Sequence, residues 1–152
     1  MTLNTEEFLQ TTTGDVLDDH LDPCIPGEWL FIAGKPSIAS FVYKTGDREG
    51  ETGYRMVLPW TCQAQEVLDA LDRERVTVTQ SVLLDLTDDG TGLDMGKGKN
   101  ITLGQIRTAL GQNVAGADWS PAMIEGQPAV LKIRAGVYED RATAEVQSAR
   151  AP

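Results

Sequence analysis

The sequence predicts a mainly β protein: a five-stranded, partly open Greek-key barrel with a helix between strands three and four, the strand order of the OB-fold. Three observations carry this expectation. Runs rich in aromatic and β-branched residues recur at 28–43, 54–62, 75–86, 129–134 and 141–148. The one clear helical period falls between the third and fourth of them. A chain of 152 residues is the size of one domain with one core. A β-sandwich is the nearest competing architecture.

The first run reads Glu28-Trp29-Leu30-Phe31-Ile32 and Ser37 to Tyr43, interrupted by Gly34-Lys35-Pro36. A Gly and a Pro inside such a run mark a bulge or sharp bend, so this is one long coiled strand or two short ones. The polar, glycine-rich KTGDREGETG at 44–53 is a hairpin loop, and Tyr54 to Cys62 is the return strand. Val67, Leu68 and Leu71 sit at helical spacing in a two-turn segment, 64–71. The clearest strand is 75–86, with Val76, Val78, Val82, Leu84 and Leu86 two apart except at Gln80. Four glycines in TDDGTGLDMGKGKN, 87–100, make a loop. Thr102 and Gln105 have capping-box spacing, Leu103, Ile106 and Leu110 share a face, and Gly111 ends the helix. Residues 119–124 form a turn, 129–134 a strand with bases on alternate positions, and 141–148 the last strand.

Charge is uneven. The chain carries 23 acids against 13 bases, a formal −10. Residues 1–22 hold six of the acids (Glu6, Glu7, Asp15, Asp18, Asp19, Asp22) and no base, so they read as an acidic, mobile arm ahead of a folded domain at 23–152. The domain keeps 17 acids against the 13 bases and is only mildly acidic. Net negative charge argues against binding duplex DNA by broad phosphate neutralisation but leaves room for a local basic groove. No apolar run approaches the ~20 residues of a membrane-spanning helix, and the N-terminus lacks the pattern of a signal peptide, so a cytoplasmic, reducing compartment is expected. Cys24 and Cys62 form neither a disulfide framework nor a CxxC pair and read as buried thiols.

Several chemistries lack their parts. Gly96-Lys97 is preceded five residues earlier by Thr91 and followed by Gly98, which is not a Walker phosphate loop. Asp85, Asp88, Asp89 and Asp94 faintly suggest a calcium loop, but Gly96 stands where the closing Glu is needed. His20 is the single histidine and lies in the arm, away from any nucleophile. The sequence therefore predicts no catalysis, no metal and no cofactor.

What remains is a set of aromatics interleaved with bases on expected strands: Trp29, Phe31, Lys35, Phe41, Tyr43, Lys44, Arg48, Tyr54, Arg55 and Trp60, then Lys132, Arg134 and Tyr138. On a barrel face such rings stack unpaired bases and the amines and guanidiniums contact phosphates. Trp29, Phe31 and Phe41 have a competing reading as core. Lys97 and Lys99 flank glycines in a pliable loop suited to a polynucleotide backbone.

The helix LGQIRTALGQN at 103–113, the Trp119-Ser120-Pro121 turn, Gly126 ahead of IEGQPAVLKI's strand, and the closing RATAEVQS resemble a family of small proteins from bacteriophage replication and recombination regions. The resemblance covers the C-terminal half. It implies an OB-fold single-stranded DNA-binding protein, acting without sequence preference in the host cytoplasm beside phage replication or recombination proteins, with homo-oligomerisation open. The chain departs from many such proteins in ending Ser148-Ala149-Arg150-Ala151-Pro152 instead of in an acidic tail; its acidity is at the other end. Two other classes fit the strand pattern: a β-barrel virion or assembly protein that binds proteins, and an acidic DNA-mimic inhibitor.

Overall fold

The computed structural model describes residues 2–17 and 23–152. Asp18, Asp19, His20 and Asp22 of the arm lie outside the described residues. The arm residues ahead of them include a short helix, α1 (Thr5–Gln10), capped by the Asn4 side chain and burying none of its residues. The sequence reading missed it because six residues give no period to detect.

Six strands follow: β1 (Gly27–Ala33), β2 (Ser37–Val42), β3 (Thr52–Cys62), β4 (Thr77–Leu84), β5 (Pro128–Tyr138) and β6 (Arg141–Arg150), with α2 (Gln65–Ala70) after β3 and α3 (Ile101–Ala109) after β4. Every pairing is antiparallel. The sheet runs β2-β3-β1-β5-β6, with β4 on the other side of β3. Among the described residues no helix is long and apolar enough to cross a membrane.

β3 organises this arrangement because it is long enough to serve three neighbours. One edge pairs with β4 from Tyr54 to Thr61. The other pairs first with β2 and then, over its last three residues, with β1. Ala33 stands opposite Trp60 and Ser37 opposite Val57, so Gly34, Lys35 and Pro36 face only Leu58 and Pro59. That one extra residue is a bulge, and with a side-chain period of two it switches faces. Odd-numbered residues point to the core in β1 and away from it in β2. Gly34 is required at the bend: its N–H donates to the Pro59 carbonyl at 2.7 Å, and a Cβ would stand 2.9 Å from the Pro59 ring.

The core lies on the inner face of the curled sheet. Met56, Leu58, Trp60 and Cys62 of β3 meet Phe31 and Ala33 of β1, Val78 and Val82 of β4, and Leu131 and Ile133 of β5. Trp60 is fully buried opposite small Ala33, and its indole N–H donates to Gln80 at 3.0 Å, so no polar atom of the ring is stranded.

The fold is mainly β, as expected, with six strands in place of five and a sheet that is not closed. β4 and β6 come within 8 Å of each other between Cα atoms but share no ladder, and α3 packs against both. Leu103, Ile106 and Ala109 of α3 are the buried residues of that face. The expected capping box is also absent. The helix begins at Ile101, so Thr102 lies within it, and the preceding Asn100 has a left-handed φ of 53° with no side-chain cap bond. Gly111, at φ 71°, does end the helix.

Cys24 and Cys62 are both buried in the core. Burial pushes the Cys24 thiol from its ordinary 9.0 up to about 11, with the neighbouring Cys62 adding to the rise, and burial raises Cys62 as well. The folded chain thus holds these protons more tightly than the unfolded chain. The stability this represents is complete below about pH 9 and lost as pH climbs toward 11, about 2–3 kcal/mol for Cys24 alone. Urea titrations at pH 8 and pH 10.5 are expected to show that loss, and Cys24→Ala should flatten the dependence. Gly34→Ala should lower stability by about 1–3 kcal/mol through overpacking against Pro59, measured in the same titration.

Candidate nucleic-acid interface

The bulge decides which aromatic residues are available. Met56 and Trp60 face the core, so Gly53, Arg55 and Val57 face outward. Residues opposite one another across a ladder share a face. Phe41 opposite Gly53, and Ala39 and Leu83 opposite Arg55, therefore stand on the same outer surface.

There Phe41 and Tyr43 pack edge to face, ring centroids 4.9 Å apart. Both rings lie over Gly53, where a Cβ would fall 2.5 Å from Phe41 and 2.8 Å from Tyr43. Arg48, in the β2–β3 loop, places its guanidinium 4.6 Å from the Tyr43 ring centre and donates to the Tyr43 hydroxyl at 3.1 Å. It also pairs with Glu51 at 2.9 Å, and that hydrogen bond holds its pKa above the ordinary value. Tyr43 is half-buried, while Arg55 and Lys44 are exposed. The result is a two-ring platform on a glycine floor, with Arg48 over Tyr43 and Arg55 on the neighbouring strand. Stacked arginine and tyrosine at a surface present π-faces and N–H donors together, which suits a base and its phosphate.

Four of the expected ligand-facing rings are elsewhere. Phe31 and Trp60 are fully buried in the core, and a ring without accessible surface cannot stack on a base. Trp29 is half-buried against the same core, with its indole N–H donated to the Ile25 carbonyl at 2.8 Å. Tyr54 is 39% exposed but lies on the inner face, opposite Leu84, at the mouth of the sheet.

The bases also divide. Lys35 is exposed at the bulge, beside Pro36 and Glu125 in a small cleft. Lys97 and Lys99 are exposed in the 85–100 loop. Lys99 shares a cleft of about 510 Å³ with Arg48 and Tyr54, but also with Asp85, Asp88 and Asp94. Lys132 and Arg134 sit on β5 near carboxylates: Lys132 is opposite Glu28, and Arg134 pairs with Glu145 at 2.8 Å. The structure thus brings together Phe41, Tyr43 and Arg48, with Lys44 following Tyr43 in the chain and Arg55 on the same face, two residues along β3 from Gly53. It places Lys35, the 97–99 loop and the β5 bases outside that group. Phe41 is the platform member whose sequence reading leaned toward the core; Gly53 opposite it was the available sign.

The 85–100 loop is held by short polar bonds and by Leu93, which bridges to Leu86 and packs against the core. Asn100 accepts from the Asp85 N–H at 2.8 Å and donates its side-chain amide to the carbonyls of Asp85 and Asp94. Asp89 accepts from Thr87 and from the Thr91 N–H and hydroxyl, and these bonds hold its carboxyl down at about 2. Next to this loop lies a mostly apolar cleft of about 730 Å³ bounded by Ile38, Tyr54, Leu84, Leu93, Met95 and Trp119. Trp119 is fixed by Arg107, whose guanidinium is 4.3 Å from its ring centre, and by Gln112, which accepts from its indole N–H.

Comparison with protein-family models and with curated proteins gave no match to the chain. Gly53→Ala is expected to lift both rings from the sheet: the near-UV circular dichroism from Tyr43 should diminish while the far-UV spectrum is retained.

Proposed function

We propose that this chain is a single-stranded DNA-binding protein, indifferent to sequence, that covers DNA during phage replication or recombination in the host cytoplasm. The observation that carries the reading is the outward platform of Phe41 and Tyr43 over Gly53, with Arg48 on the Tyr43 ring and Arg55 beside it. Rings on the outer face, bordered by guanidiniums, have the composition that stacks unpaired bases. We propose further that the sheet is an open variant of the OB-fold. The order of strands, the helix after the fourth of them, and the approach of β4 to β6 across α3 support this. So does the resemblance of the C-terminal half to phage proteins of that kind. Chemistry is not required, and neither is a metal or cofactor.

In mechanism, one or two bases rest on Phe41 and Tyr43 while Arg55, Lys44 and the free edge of Arg48 contact the backbone. Arg48, Arg134 and Arg150 each already pair with a carboxylate, and the chain is at −10. Few counterions are released, so affinity should fall less steeply with salt than for a basic duplex binder.

A second reading has its own support. The apolar cleft beside Asp85, Asp88 and Asp94 fits a protein segment that is apolar and cationic, as an assembly protein would bind. The two readings separate on one pair of variants. Tyr43→Ala is expected to weaken binding of unlabelled oligo(dT) by about 1–3 kcal/mol, read by calorimetry, and Met95→Asp to leave it unchanged. Tight oligo(dT) binding by Tyr43→Ala sinks the ring platform as the binding site, and no binding by the parent chain sinks the nucleic-acid reading. Tryptophan emission is a poor reporter here, since Trp60 is buried and the half-buried Trp29 and Trp119 lie outside the ring platform.

A further inference from the structure

Strand β5 outruns its neighbour. It pairs with β1 only between Pro128 and Ile133; Pro26, just ahead of β1, has no N–H with which to continue the ladder. From Arg134 to Tyr138 it pairs with β6 along one edge, and among the described residues the other edge has no strand. The two strands meet at Tyr138 and Arg141 through Glu139 and Asp140, at φ 49° and 63°, a two-residue turn with both central residues left-handed. Such a turn bonds the Tyr138 carbonyl to the Arg141 N–H. Alternation along the ladder then commits the backbone of residues 134, 136 and 138 to β6 and turns the N–H and C=O of Ala135 and Val137 to the open edge. No Pro or Lys blunts the edge over these five residues, and Val137 and Tyr138 are 76% and 70% exposed.

We infer that this edge pairs with the same edge of a second copy of the chain, antiparallel about Gly136, to form a two-fold symmetric dimer. The register is self-complementary. With Gly136 on the axis, Ala135 faces the partner's Val137, and each of the two such pairs exchanges both backbone bonds. Gly136 suits the close approach at the axis, because the space its Cβ would fill is already taken from its own hairpin by the Glu145 carboxylate and the Thr143 hydroxyl. On one face Arg134, bonded to Glu145 at 2.8 Å, falls opposite the ring of the partner's Tyr138, so no like charges are directly opposed. On the other face Ala144 and Ala135 continue into the partner's Val137 and Ala142 as one apolar row.

The inference is independent of the nucleic-acid reading and is tested without DNA. Sedimentation equilibrium of the full chain, from low micromolar to millimolar, is expected to show a monomer–dimer equilibrium. Val137→Pro removes the outward N–H and leaves the β6 ladder intact; it should weaken the dimer about ten- to a hundredfold with unchanged far-UV circular dichroism. Val137→Lys, which keeps the backbone donor but charges the edge, should also weaken it, and it decides the question if the proline variant misfolds. A parent chain that stays monomeric throughout, or a dimer that survives both variants, overturns the inference.

Discussion

The rest of the structure depends on a single inserted residue at the turn from β1 to β2. Without the bulge, β1 and β2 would present one continuous alternation, and residues 31, 41 and 43, all odd, would share a face. Three residues opposite two let Phe31 enter the core while Phe41 and Tyr43 leave it. The bulge is stabilised by the Gly34 N–H on Pro59 and by the tight packing of Gly34 on the Pro59 ring. Pro59 stays paired with Thr79 of β4 on its other side, so the bend is clamped between two strands and cannot slide. Core composition and surface composition are therefore set together at one point in the chain.

Much of this is legible in the sequence. Gly34 and Pro36 inside an aromatic run announced a bend, the period-two pattern at 76–84 announced β4, and Leu103 with Ile106 announced α3. Face assignment was not legible. An alternating strand says that its residues divide between two sides, and the direction of the division past a bulge depends on whether one or two extra residues are accommodated, which only the register opposite β3 reveals. Phe31 and Trp60 thus fit either face by pattern alone, and the register puts both in the core. The unclosed barrel was hidden for a related reason: closure depends on whether two distant strands meet, and no local pattern encodes the intervening packing of Ile106 and Leu103. The extension of β5 to Tyr138 was hidden because Glu139 and Asp140 adopt left-handed turn conformations without the glycine that normally signals them.

The acidic composition is compatible with an anionic ligand because the charges are used locally. Glu51, Glu145 and Glu28 each pair with an arginine at an exposed site. Pairs of that exposure contribute little to stability; their effect is to fix where a guanidinium sits. Glu51 holds Arg48 where it can lie on Tyr43 and donate to its hydroxyl. A lysine at position 48 would keep the charge and lose the planar fork, so the Tyr43 ring would lose its stacked cover and much of its preorganisation.

Both surfaces to which a role has been assigned lie on parts of the sheet that the core does not need. Tyr43, Phe41 and Val137 are absent from the buried cluster built around Trp60, Leu58 and Phe31. Ring platform and open edge extend beyond the layer that α3 seals, and their backbones are held on one side by a ladder partner, β3 in one case and β6 in the other. Loss of a side chain there leaves the core around Trp60 intact, whereas loss of Trp60 would open a cavity and strand Gln80. The separation means that binding and folding respond to different residues, so a variant that stays folded and stops binding identifies the surface directly.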